Sequence, residues 1–364
     1  MVFQVLKKKF EENERVVFLI ALTAGFIFDS FTLVRIDGSR DHLILGSYLF
    51  IALVGIFFVN LAENKMSSER LAKLSPWFLF AMQFAFGGLF SNFVVLYSRS
   101  ATFLTSWPFL LLLVGLLIGN EFFKKHYDRL ILQLSIFFLT IFSFLIFFVP
   151  IVIGKMGDSI FLLSGAISLF VIFCIVCILS KFISEKIRKQ QVRLFCAIGV
   201  LFILINTLYF TNIIPPIPLS LKDAEVYHSV MRDSKAGYVV TSEVEVDPSM
   251  FLGLYPREKV LHIRRGDPLY VWSSVFAPTK LSTSIVHQWN YFDENKKVWT
   301  SSIRVEFSIV GGRDEGYRGY SYREDMIEGL WRVDIETPTG QIIGSEKFRV
   351  ETVSNIPTLS TKTR

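Results

Sequence analysis

Apolar positions are concentrated in the first part of this chain. Seven long runs rich in Leu, Ile, Val and Phe occupy residues 16–34, 43–62, 76–97, 102–120, 130–150, 159–180 and 194–212. A bilayer core needs roughly 20 consecutive apolar residues in a helix. The backbone finds no water there, so runs of this kind must close their hydrogen bonds internally as helices. The pattern predicts an α-helical transmembrane bundle of seven spans over 16–212, preceded by a cytoplasmic tail at 1–15. Lys7, Lys8 and Lys9 precede the first run, but Glu11, Glu12 and Glu14 intervene and no small-residue cleavage site follows. The first run therefore reads as a retained anchor.

After the last run the pattern changes. Pro215, Pro216 and Pro218 stop helix propagation. In the junction over 213–235, Ser220-x-x-Asp223 has the form of a weak capping box and predicts a short helix near 221–232. Beyond residue 236 the period is two. Val240, Ser242, Val244 and Val246 alternate with their neighbours, as do Ile303, Val305, Phe307 and Ile309, then Trp331, Val333 and Ile335, then Phe348 and Val350. Half-buried antiparallel strands produce this alternation. Turn signals fall at Asp293-Glu294-Asn295, at Gly311-Gly312 and at Pro338-Thr339-Gly340. The prediction is an all-β sandwich of seven or eight strands, immunoglobulin-like, over 236–352, with a flexible tail at 353–364.

Charge adds a direction. The N-terminal tail and the three loops on its side hold fifteen Lys and Arg, against four in the loops on the other side. Positive charge stays on the cytoplasmic side, so the N-terminus is expected inside and, with seven spans, the β domain on the outer face. The sequence pI of about 9.1 has the same source. Residues 1–219 carry 19 basic and 12 acidic side chains, whereas 220–364 carry 19 and 20. The exposed domain lacks the basic patch of a nucleic-acid binder. Cys174, Cys177 and Cys196 lie inside apolar runs, and the five histidines are dispersed. No metal or other cofactor is expected. Hydrolase, P-loop and zinc-protease signatures are missing, which points away from an enzyme.

Two groups of residues are candidates for chemistry. Asp29, Thr32 and Arg35 lie at the outer end of the first run, Asn92 and Arg99 toward that of the third, and Asn206 toward that of the seventh. Ionisable groups in a membrane are costly and often functional. Such residues form either a polar, outward-opening cluster or simple interhelical glue. The second group is the segment Gly311–Arg323, where Arg313, Tyr317, Arg318, Tyr320 and Arg323 lie among four glycines, with His287 and Arg332 on neighbouring strands. Arg supplies forked donors for anions, and Tyr supplies flat amphipathic area. The segment is either a binding hairpin or a hairpin in which Arg stacks on Tyr.

The β segment also carries a resemblance. His287-Gln288-Trp289, Tyr317-Arg318-Gly319-Tyr320-Ser321, Gly329-Leu330-Trp331-Arg332-Val333 and Gly340 with Phe348-Arg349-Val350 resemble the pattern of the bacterial domain of unknown function 2914 (DUF2914). Tyr317 and Tyr320 stand where that family tends to have Trp. The resemblance covers His287–Val350 and implies a bacterial multi-span membrane protein, with no activity attached. The expectation is an inner-membrane protein in contact with the lipid bilayer. Its outer β-sandwich would bind an envelope component, either a protein partner or an anionic glycan. The alternative is a transporter or membrane-embedded enzyme working around Asp29, with the sandwich as a lid.

Overall fold

The computed structural model describes residues 38–62, 69–100, 103–122, 130–233, 237–244, 259–279, 281–313 and 315–364. They fall into two compact units. One is helical and runs to Ile214; the other contains Pro215–Arg364 and two short earlier segments.

The helices of the first unit are α1 (Ser39–Ala62), α2 (Glu69–Ser100), α3 (Phe103–Phe122), α4 (Leu130–Ile153), α5 (Asp158–Ser180) and α6 (Ser184–Phe210). Among the described residues, five helices are long and apolar enough to cross a membrane: all of these except α3. Against the seven spans expected, the described residues show five. The first expected span lies outside the described residues. Within α3, which is 20 residues long, the described stretch Ser106–Leu116 is apolar. By helix length and composition the chain is a multi-pass membrane protein.

Burial in this unit follows the rules of lipid as a solvent. Phe50, Trp77, Phe170 and Ile203 are each about two-thirds exposed, because hydrocarbon gives an apolar side chain no reason to turn inward. Polar side chains are inside instead. Asn92, Thr140, Ser164 and Ser168 are buried, and each donates to a carbonyl of its own helix three or four residues back, at 2.7–2.9 Å. Close approach uses small residues. A Cβ at Gly88 would meet the Tyr48 ring, and one at Gly165 would meet Phe142 and Phe202.

The second unit has eleven strands among the described residues: β1 (Ser220–Tyr227), β2 (Ser229–Asp233), β3 (Gly237–Glu243), β4 (Lys259–Ile263), β5 (Leu269–Phe276), β6 (Ser282–Asp293), β7 (Val298–Val310), β8 (Tyr317–Arg323), β9 (Gly329–Glu336), β10 (Ile342–Thr352) and β11 (Leu359–Thr363). They form three sheets, ordered β1-β5-β8, β4-β10-β9-β6-β7 and β11-β3-β2. Two sequence expectations are corrected. The predicted helix near 221–232 is the strand pair β1 and β2, and the predicted flexible tail contributes β11. In the first case, Val226 and Tyr227 fill the core better from a strand paired with β5 than from a surface helix. In the second, Leu359–Thr363 closes the β3 edge, pairing with Val239–Glu243.

The three-stranded β1-β5-β8 sheet and the five-stranded sheet face each other across one core. Val226, Leu269 and Val271 from the first meet Trp289, Trp331, Val333 and Phe348 from the second. The β11-β3-β2 sheet covers part of the other side of β1-β5-β8, where Tyr227, Trp272, Val230 and Val240 form a smaller cluster. Trp331 is fully buried, its ring beneath the Arg323 guanidinium at 4.9 Å and its indole N–H donating to the Ile327 carbonyl at 2.9 Å. Trp331→Ala should cost about 3–5 kcal/mol. Denaturant unfolding of the full chain in micelles, followed by tryptophan fluorescence, checks this; a loss under about 1 kcal/mol would contradict the packing.

Candidate binding site

The Arg- and Tyr-rich segment is not a hairpin. Residues 311–316 carry the chain from β7, on the edge of the five-stranded sheet, to β8, on the edge of the facing sheet. Gly311 and Gly316 make the crossing possible. A Cβ at Gly311 would strike the Pro278 and Ala277 carbonyls, and Gly316 has φ +85° against Val275. The sequence signals a turn here but not the change of sheet.

Alternation along β8 then divides the expected residues between two faces. Gly319 and Ser321 are buried and Tyr317 and Arg323 half-buried on the inner side. Tyr317 packs into the core and Arg323 lies on Trp331, with Nη1 also bonded to Ser302. Gly319 is required because the Phe307 ring occupies the space of a Cβ. Arg318, Tyr320 and Tyr322 turn outward. Tyr322 stands opposite Tyr270 on β5, and Tyr320 opposite Trp272. Directly opposed residues share a face, so the rings meet: Tyr270–Tyr322 at 5.4 Å, Tyr270–Tyr320 at 6.1 Å and Tyr238–Tyr320 at 6.0 Å between centroids. Tyr322 is 51% exposed and Tyr320 36%.

The result is an aromatic ladder along a sheet edge. At its third-sheet end, the Tyr238 hydroxyl donates to the Arg318 carbonyl at 3.1 Å, and the Arg318 guanidinium lies beside Gly237. Burial raises the Tyr238 and Tyr270 hydroxyls above the ordinary phenol value, so they remain donors at neutral pH. Arg313 is exposed in the crossing loop, 5.1 Å from the Tyr317 ring.

His287 and Arg332 do not join this surface. His287 is fully buried between the sheets, Nε2 2.8 Å from the Ser273 hydroxyl and Nδ1 2.9 Å from that of Ser321. Trp289 Nε1 donates to the same Ser321 oxygen at 2.9 Å. Desolvation pushes the His287 imidazole down to about 3. Arg332 lies on the outer side of the five-stranded sheet, over Trp299 at 4.7 Å and paired with the buried Asp334 at 2.9 Å. Asn290 and Ser345 also donate to Asp334. Both expected residues are structural because their strand parity turns them away from β8's outer face.

The expected membrane cluster is reached only in part. Asp29, Thr32, Arg35 and the Arg99 side chain lie outside the described residues. Asn92 and Asn206 each bond a carbonyl of their own helix, those of Gly88 and Phe202. Sequence reading missed Asn60, whose Nδ2 donates to Gln133 Oε1 at 2.5 Å and whose Oδ1 accepts from Lys186 at 2.8 Å. It also missed Tyr238 and Tyr270, and Glu243, which bridges His228 and His262 at 3.0 and 2.9 Å. Burial works against ionisation of Glu243, but hydrogen bonds from both histidines and the His262 N–H hold it below the usual range. Among the described residues, no group of three or more His, Cys, Asp or Glu is arranged to hold a metal ion.

Residues 282–350 match the family described as Protein of unknown function (DUF2914). The chain thus carries a DUF2914 domain near its C-terminus. It spans β6 to β10 and includes β8, the outer edge of the ladder. No curated protein matches the chain. Two solved structures are similar in part. An immunoglobulin-like protein from Pseudomonas aeruginosa has 10% identity, covers 34% of this chain and 97% of its own, and has a TM-score of 0.18. The alkylpurine DNA glycosylase AlkC from Pseudomonas fluorescens, bound to DNA containing an abasic site analog, has 9% identity, covers 86% and 100%, and has a TM-score of 0.22. At these scores neither likeness bears on the fold or chemistry of this chain.

His287 makes stability depend on pH. Its folded value lies below the unfolded 6.5, so the unfolded state binds more protons as pH falls. Its contribution is complete above about 6.5 and is lost toward about 3, by at most about 5 kcal/mol. Glu346, pushed up to about 7 by burial, acts oppositely at the upper end of this window. The check is therefore the difference between wild type and His287→Gln in unfolding free energy against pH. The wild type should lose more stability on acidification, and parallel curves would contradict the assignment.

Proposed function

We propose that the β domain is a binding module, non-enzymatic, held by the helical bundle at the outer face of a bacterial cytoplasmic membrane with the N-terminus inside. It binds an envelope component, and the favoured class is an anionic glycan over a protein partner. The observation that carries this reading is the exposed ladder Tyr238–Tyr320–Tyr270–Tyr322 beside Arg318. The C–H faces of a sugar ring are apolar and weakly electropositive, and stack on the electron-rich faces of aromatic rings. Arg318, with Arg313 in the adjoining loop, supplies planar donors for a carboxylate or sulfate. A structural ladder would turn its rings inward; Tyr320 and Tyr322 keep theirs toward solvent.

Titration of the full chain in nanodiscs with an oligogalacturonate, followed by tryptophan fluorescence, tests the reading. Trp272 stands 6.5 Å from Tyr238 and provides a local signal. Tyr320→Ala with Tyr322→Ala should weaken binding by about thirtyfold or more while leaving unfolding unchanged. Arg318→Ala should weaken the acidic oligosaccharide and spare a neutral one. Undiminished affinity in the folded double variant would sink the proposal. Crosslinking that captures a protein through Tyr320, with no saccharide binding, would replace the glycan by a protein partner.

A further inference from the structure

One rung of the ladder does not belong to the ladder's own sheet. Tyr270, Tyr320 and Tyr322 stand on β5 and β8, whereas Tyr238 is brought by β3 from the third sheet. Tyr238 meets Tyr320 at 6.0 Å and donates to the Arg318 carbonyl, so its place sets one end of the surface. Val230 and Val240 of the third sheet pack on Tyr227 and Trp272. Apolar burial of this kind is non-directional and does not by itself fix where Tyr238 stands.

Arg364 supplies the direction. It follows β11, and its backbone N–H donates to the Tyr238 carbonyl at 2.8 Å while its carbonyl accepts from the Tyr238 N–H at 3.1 Å. Its side chain reaches the other sheet. Nη1 pairs with Asp223 at 3.0 Å, Nη2 with Glu225 at 2.6 Å, and Nε donates to the Tyr227 hydroxyl at 3.0 Å. Asp223, Glu225 and Tyr227 follow at intervals of two along β1, so they share one face. All three guanidinium nitrogens are thus taken by one strand, and a planar fork held in this way fixes orientation as well as distance. Burial works against ionisation of Glu225, but hydrogen bonds from Tyr227, Lys259 and Arg364 hold it below the usual carboxylate range. Glu225 stands opposite Trp272 and Trp272 opposite Tyr320; Tyr227 stands opposite Tyr270 and Tyr270 opposite Tyr322. The guanidinium is therefore anchored on the same two cross-strand rows that carry the ladder, 5.9 Å from the Trp272 ring.

We propose that Arg364 is a positioning residue of the binding surface. Its backbone holds Tyr238 and its side chain holds β1, so it sets the spacing between the Tyr238 rung and the rungs on β5 and β8. It acts through Tyr238 rather than on the ligand. This role rests on the ladder being the binding surface proposed above.

The test uses the full chain in nanodiscs with an oligogalacturonate as probe. Arg364→Ala should weaken binding about tenfold, and should weaken it no further in a chain that already carries Tyr238→Ala, because residues acting through one another are not additive. Hydrogen exchange over Gly237–Glu243 should be at least about tenfold faster in Arg364→Ala, with exchange over Gly329–Glu336 unchanged. Undiminished affinity in Arg364→Ala overturns the proposal. An equal tenfold loss in the Tyr238→Ala background also overturns it, because the arginine would then act on the ligand directly. If the wild type binds no oligogalacturonate, the glycan reading fails by itself and exchange decides the positioning role: unchanged exchange over Gly237–Glu243 overturns it, and faster exchange supports it.

Discussion

The β domain depends on a neutral histidine sealed between two sheets. Ser273 and Ser321 belong to one sheet, His287 and Trp289 to the other, and their polar atoms meet only each other. A buried donor or acceptor without a partner costs about 1–3 kcal/mol. Each shift of β5 or β8 along its neighbour would leave several such atoms unpaired at once. Apolar packing pulls the sheets together but tolerates sliding; this network does not. It fixes the register that places Tyr320 opposite Trp272 and Tyr322 opposite Tyr270. The outer ladder is thus a consequence of an inner polar contact.

The same logic operates in the helical unit with the solvent reversed. Water drives Trp289 and Trp331 inside the β domain, whereas Trp77 stands 71% exposed on α2. What selects the inside of the bundle is the need of polar groups for partners and of backbones for close approach. Asn60, Gln133 and Lys186 link three helices through hydrogen bonds, and Gly55, Gly88 and Gly165 each sit against a large side chain of another helix.

Much of this was legible in the sequence where the signal is local. Long apolar runs gave the helices, period-two alternation gave β3, β7, β9 and β10, and Pro338-Thr339-Gly340 marks the β9–β10 turn, with Gly340 at φ +85°. The errors arose where a non-local partner decides. Residues 221–232 lack a strict alternation, and only β5 makes β1 a strand. His287 and Arg332 looked available because sequence does not say which face a strand presents. Tyr238 and Tyr270 are 32 positions apart in number and meet Tyr320 only after three strands are assembled. Nothing local to Gly311–Gly316 announces a change of sheet.

The parallel pairing of β4 with β10 joins residues 259–263 to 348–352, and β3 waits for β11 in the same way. Neither contact forms until the chain between has been gathered. Loop closure on this scale is paid before the contacts return it, so such topologies collapse slowly, on the order of milliseconds to seconds. During that interval the β4 and β3 edges stand open, while the same chain carries apolar helices that also need cover. Orderly assembly of the molecule thus turns on keeping the two kinds of surface apart in time as well as in space.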